Sequence, residues 1–153
     1  MSPRISDNVR NFMEYLSQPS ERNEDLAISY FRSVFPEFDR QSDAGNADGY
    51  VKGHFVLELK GETNDWYKAL FQACAYTGKG LSFTLVVVAC KQFLAIWSVE
   101  KIPVEVRDYI ASMGGKAPSK VGELAAQKFK HLKSRLLRET EWYKPEVFTS
   151  LFS

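Results

Sequence analysis

An α/β (α+β) fold, with a mixed central β-sheet flanked by helices, is predicted by three observations. Apolar residues recur at helical i, i+3, i+4 spacing near both ends of the chain. Period-two alternation runs from Phe55 to Lys60, and a further helical pattern lies between that stretch and two β-branched apolar runs. At 153 residues, 44% hydrophobic and 14% aromatic, the chain has apolar surface for one packed domain and too little length for two. Its 20 basic and 19 acidic side chains nearly cancel, so any affinity for a polyanion depends on where the charges sit. Cys74 and Cys90 lie in apolar stretches without CxxC or Cys/His spacing, which predicts free buried thiols in a reducing compartment. No stretch approaches the roughly eighteen unbroken apolar residues of a membrane span, and Met1 to Leu16 lacks a basic start followed by an apolar run. A cytoplasmic protein with no membrane partner is expected.

Two amphipathic helices open the chain, one on Val9, Phe12, Met13 and Leu16, the other on Ala27, Tyr30, Phe31 and Val34. Pro36 stops the second, and the polar, turn-rich stretch to Gly49 is a loop that delivers Asp48 to the next element. Tyr50 and Val51 lead through a tight turn at Lys52-Gly53-His54 into a strand from Phe55 to Lys60. There Phe55, Leu57 and Leu59 face one way, and Val56, Glu58 and Lys60 the other. Asn64 is placed to cap a helix from Asp65 to about Thr77, with Trp66, Ala69, Leu70 and Ala73 buried and Gly78 ending it. Phe83 to Ala89 and Phe93 to Val99 read as two central strands. Pro103 starts a helix that Gly114-Gly115 ends. Ser119 caps one last long helix with the stripe Val121, Ala125, Phe129, Leu132 and Leu136.

With 19 acidic side chains and 12 lysines, about 1.5 acid-x-Lys triplets are expected by chance, so the single Glu58-Leu59-Lys60 is uninformative by count. Its context carries more. Two charges on one face of an apolar strand are costly unless paired, bound to a metal or open to solvent. If the Asp48 segment pairs with this strand through the turn at Gly53, Asp48 comes to the Glu58 end of the hairpin, and the two carboxylates can share one divalent cation. Mg²⁺ prefers oxygen and is commonly held by one or two carboxylates while keeping waters and substrate phosphate. Lys60 would position the attacking water and stabilise charge developing on a phosphate, which points to phosphodiester hydrolysis.

The run Ala47-Asp-Gly-Tyr-Val, ten residues from Asp48 to Glu58, and then Val-Leu-Glu-Leu-Lys-Gly resemble the PD-(D/E)XK nuclease superfamily. Ala47 stands where the superfamily's name has proline. Gln72-Ala-Cys-Ala-Tyr76 matches the QxxxY element of the RecB-like branch, and the i, i+4 spacing puts both residues on one helical face. The resemblance implies a restriction-endonuclease-like core over about residues 20–99, with helices at 103–140 and a tail at 141–153 outside it. It further implies catalysis by Asp48, Glu58 and Lys60, and substrate contacts from Gln72, Tyr76 and Lys68. The implied Mg²⁺ site, open also to Mn²⁺, uses Asp48, Glu58, the Leu59 backbone carbonyl and, as a first-helix acid, Glu24.

The arrangement resembles nuclease domains of bacterial restriction-modification or defence enzymes. The chain is then a single nuclease domain acting on DNA, or the N-terminal domain of a larger enzyme whose other domains or subunits supply recognition or translocation. Two alternatives stand beside this. One is a solvated sheet face with an incidental ion pair, and the other a catalytically silent domain that binds nucleic acid or a partner protein. Lys116, Lys120, Lys128, Lys130, Lys133, Arg135 and Arg138 outnumber Glu123 along the last helix, which suits either a phosphate backbone or plain solvation. Glu24 also reads as an ordinary first-turn acid. His54 and His131 have no visible nucleophile partner and are assigned no role. Trp142, Tyr143, Phe148 and Phe152 are expected to pack back on the core.

Overall fold

The computed structural model describes residues 3–40 and 47–142. Its first helices, α1 (Pro3–Ser17) and α2 (Glu24–Val34), pack on each other through aromatic rings. Phe12 stacks on Tyr30 at 4.6 Å and meets Phe31 edge-on at 5.2 Å. The expected stripes are buried at Val9, Phe12, Ala27, Tyr30 and Phe31. Leu16 and Val34 are half-buried against the same cluster, and Met13 is 49% exposed, because the ring cluster draws Phe12 and Tyr15 inward and turns the buried face away from it. Phe35, restricted by Pro36, is extended (φ −121°, ψ 98°) and ends α2 as anticipated.

β1 (Gly49–Val51) and β2 (Phe55–Leu59) form an antiparallel hairpin with Gly49 opposite Leu57, and Gly53 takes φ 78° in the turn. α3 (Trp66–Cys74) then carries the chain to β3 (Leu85–Cys90), which runs parallel to β2. β4 (Phe93–Ser98) returns antiparallel to β3. The helix α4 (Val104–Ala111) follows, then α5 (Pro118–Lys128), α6 (Lys133–Glu139) and the two-residue β5 (Glu141–Trp142) beside β4. The sheet order is β1-β2-β3-β4-β5, four principal strands and the short fifth, which the sequence pattern did not signal.

Alternation along the strands sorts the interior into two apolar clusters. Phe55, Leu57, Leu59, Val87, Ala89, Leu94 and Ile96 pack with α1 and α2. Val56, Val86, Val88, Ala95 and Trp97 pack with α3, α4 and α5. Because helices cover both faces, β3 is apolar throughout and β4 as far as its last residue, Ser98. The helices after Pro103 share the cluster of α3 and the sheet, so they complete the core that the resemblance confined to earlier residues.

Several element boundaries differ from expectation. Thr63–Asp65 is a 3₁₀ turn, Asp65 precedes α3, and no side-chain bond from Asn64 caps it. A second 3₁₀ turn, Ala75–Lys79, extends the element so that Gly80, at φ 88°, is the left-handed terminator in place of Gly78. β3 starts two residues later than the apolar run, at Leu85, because Phe83 and Thr84 lie before the pairing register with β4. Pro118 occupies the first turn of α5 and Ala117 the cap, which places Ser119 inside the helix. The single last helix is broken at Phe129, whose φ of −106° and ψ of 29° leave helical geometry, although Val121, Ala125, Phe129 and Leu136 are all buried as expected. The Phe129 carbonyl accepts from the Tyr67 hydroxyl at 2.5 Å as well as from the Leu132 N–H at 2.9 Å. Of the tail aromatics, Trp142 sits in β5, and Tyr143, Phe148 and Phe152 lie outside the described residues.

Candidate active site

The antiparallel ladder of β1 and β2 stops at Gly49 and Leu57, and continuing its register by one residue sets Asp48 across from Glu58. Past the ladder's end the Leu59 N–H lacks a β1 carbonyl, and it donates instead to Asp48 Oδ2 at 2.8 Å. A side chain thereby replaces a strand bond, which fixes the carboxylate beside β2. Phe38 lies against Gly49, where a Cβ would meet its ring, so the turn into β1 is packed as well as hydrogen-bonded.

Glu58 lies on the face that α3 covers, next to Val88 on the parallel strand. It is 2% exposed, which removes the solvated-face alternative for this carboxylate. Its Oε1 has no hydrogen-bond partner among the described residues. Its other oxygen is 4.0 Å from Lys60 Nζ, and it accepts from the Tyr76 hydroxyl. Burial first, then the adjacent Asp48 charge, pushes the Glu58 carboxyl well above the usual carboxylate range, while Lys60 pulls it back. Asp48 is raised too, by burial, against the opposing pull of the Leu59 N–H, Glu58, Lys60 and Arg40. Without a cation the pair therefore favours holding a proton on Glu58, bonded to Asp48.

Lys60 follows β2 directly, its backbone N–H bonded to the Ala89 carbonyl at 2.9 Å and its Nζ to Gln72 Oε1 at 3.0 Å. Gln72 is buried, and its hydrogen bond to Tyr76 joins the i, i+4 pair on α3 and the turn after it to the same group. Burial and the Glu58 charge push the Tyr76 hydroxyl above the ordinary tyrosine range, so it stays a neutral donor. Gly122 of α5 enables this layout. A Cβ there would lie 2.7 Å from the Lys68 carbonyl oxygen and 2.9 Å from the Gln72 nitrogen, so only glycine lets the two helices approach this closely.

The structure thus brings together Asp48, Glu58, Lys60, Gln72 and Tyr76, with Leu59 tied in through its N–H. Lys68 is half-buried one turn before Gln72, but the contacts to the site's polar groups are made by Lys60. Among the described residues no three His, Cys, Asp or Glu side chains converge as metal ligands, so Glu24 does not complete a three-ligand group with Asp48 and Glu58. Glu24 and Asp48 both act on Tyr15 of α1, whose ionisation is opposed first by burial and then by those two charges. Tyr15 and Arg40, which is also ion-paired with Asp25, are site neighbours that sequence reasoning missed. Tyr15 reads as one more apolar-stripe residue and Arg40 as one more polar loop residue, so neither carries a local signal. His54 lies in the turn at the far end of β2, and His131 is exposed beside Phe129.

Beyond Lys60 a polar groove of about 460 Å³ opens between the α1–α2 connection and the β3–β4 turn, lined by Gln18, Arg22, Asn23, Gly61, Glu62 and Lys91. Gln92 donates to the Leu16 carbonyl at 2.7 Å and Thr63 to the Lys91 carbonyl at 2.5 Å, which hold its walls. Two carboxylates of raised pKa, one with an unpartnered oxygen, suit a hard divalent cation, which needs only one or two such ligands and completes its shell with water. No protein-family model, curated protein or solved structure matches the chain.

Proposed function

We propose that the chain is a Mg²⁺-dependent DNA endonuclease with a restriction-endonuclease-like core, acting as the cleavage module of a restriction or defence system, with Mn²⁺ able to substitute. The observation that carries this reading is the buried Glu58, with one unpartnered oxygen, set against Asp48 just before the neighbouring strand. An orphaned buried carboxylate oxygen costs about 1–3 kcal/mol or more, and a divalent cation held by Glu58 and Asp48 would remove that cost. When bound, the metal supplies Lewis acidity toward the phosphate and lowers the pKa of water.

The protein's own groups do the rest. Asp48, anchored by the Leu59 N–H, and Glu58, steadied by Tyr76, hold their oxygens in place before substrate arrives. Lys60, held by Gln72 and near Glu58, offers its ammonium to the water and to charge growing on the phosphate. Gln72 is a positioning residue through Lys60, and the groove beyond Lys60 gives flanking nucleotides a polar bed.

Incubation with linear, supercoiled and single-stranded DNA plus Mg²⁺ or Mn²⁺ tests the proposal. Cleavage is expected with metal and not with chelator, and Asp48→Ala or Lys60→Ala should lower it by about 10²-fold or more. Wild-type cleavage surviving either substitution contradicts the assignment. Salt-sensitive DNA binding without cleavage favours the catalytically silent reading.

A further inference from the structure

The chain's charge is nearly balanced, yet residues 116–139 carry Lys116, Lys120, Lys128, Lys130, Lys133, Arg135 and Arg138 against Glu123 and Glu139. With 20 basic and 19 acidic side chains in total, the remainder of the molecule is net acidic. All seven cations are exposed. Among the described residues, Arg135 with Glu139 is the one ion pair in the segment. Lys128 lies over the Tyr109 ring at 5.1 Å and Lys133 over Trp66 at 5.9 Å, contacts that orient an ammonium while leaving N–H groups for an anion.

The segment is anchored near the carboxylate site. Trp66 opens α3 and its ring stacks on Phe93 at 6.0 Å. Phe93 pairs with Cys90, the residue after the Ala89 whose carbonyl binds the Lys60 N–H. Lys133 therefore stands at the same end of the sheet as Lys60. The surface lacks what a bilayer needs. The apolar stripe under these cations is buried in the core, and Leu137, 36% exposed, is the large apolar side chain it leaves to solvent.

We infer that the chain from Lys116 through α5, the turn after it and α6 forms a docking track for the phosphate backbone of duplex DNA, adjacent to but separate from the carboxylate pair. The inference rests on the nuclease reading for the choice of DNA among polyanions, but the binding itself requires neither metal nor cleavage. α5 alone is about 16 Å long, enough to follow several phosphates, and the contacts are sequence-independent.

The test is fluorescence anisotropy with a duplex of about 20 base pairs in EDTA, between roughly 50 and 200 mM salt. Two variants of equal charge change are compared, both checked by thermal melts: Lys116→Gln/Lys120→Gln/Lys130→Gln within the track, and Arg32→Gln/Lys52→Gln/Lys101→Gln on exposed positions outside it. The first is expected to weaken binding about tenfold or more and to reduce the log–log salt slope by roughly 2–3, the second to stay within about threefold. Should the first triple not fold, Lys120→Gln and Lys130→Gln singly are each expected to reduce the slope by about 0.9. Equal losses in both triples, no duplex binding, preference for RNA duplex, or binding to anionic vesicles alone overturns the inference. Each of those results leaves metal-dependent cleavage to be judged separately, and absence of cleavage leaves this binding intact.

Discussion

A charged carboxylate at position 58 costs free energy that a neutral carboxyl does not, since one oxygen lacks a partner and Asp48 lies beside it. Its pKa in the folded protein is above the unfolded value, so the folded state holds the extra proton. The resulting stability is fully present below the unfolded value, about 4.3, and is lost as pH rises through the folded one. Metal-free protein should therefore lose stability from this group as pH climbs from about 4.3 toward neutrality. Glu58→Gln keeps the shape without the charge. It is expected to raise stability near pH 7 by about 1–3 kcal/mol and to flatten that pH dependence, while abolishing metal-dependent cleavage. Thermal melts from about pH 5 to 8 in EDTA check this, and a variant less stable than wild type at pH 7 contradicts it. The trio Asp48, Glu58 and Lys60 was legible because strand alternation and a short turn are local. Tyr15 and Arg40 were not, because they meet Asp48 only through the packing of α1 and of the loop before β1.

At the scale of elements, α3 holds Gln72 against Lys60 only because α5 comes close enough to support it at Gly122. Gly122→Ala adds a Cβ within 3.0 Å of backbone atoms of Lys68 and Gln72, which cannot rotate away. The expected cost is about 1–3 kcal/mol by urea denaturation, despite alanine's better helix propensity, with a fall in kcat as Gln72 is displaced. Unchanged stability would mean that the helices separate freely. Element types followed from apolar periodicity, and their ends did not. Asn64, Gly78 and Ser119 are reasonable cap residues by composition, but 3₁₀ turns and Pro118 settle the boundaries elsewhere. The break at Phe129 answers to Tyr67, a residue far away in sequence, so no window along the chain could reveal it.

Over the whole molecule, a sheet buried between two helical layers is the arrangement that the continuous apolar runs of β3 and β4 require, and that much was readable. The two-residue β5 was not, since its pairing depends on where α6 delivers the chain and not on its own sequence. Thr140 and Trp97 complete that delivery by donating to the Ile96 and Leu136 carbonyls at 3.0 and 2.9 Å. Charge is unevenly placed as well, with seven cations gathered between Lys116 and Arg138, a layout hidden in a net charge of +1. The proposed nuclease requires the Asp48–Glu58 pair to hold a divalent cation. Calorimetric titration of Mn²⁺ near neutral pH, in two buffers of different ionisation enthalpy, tests it most directly. Binding of a divalent ion with release of a proton, lost in Glu58→Gln, is the predicted result, whereas no binding, or binding that Glu58→Gln leaves unchanged, would contradict it.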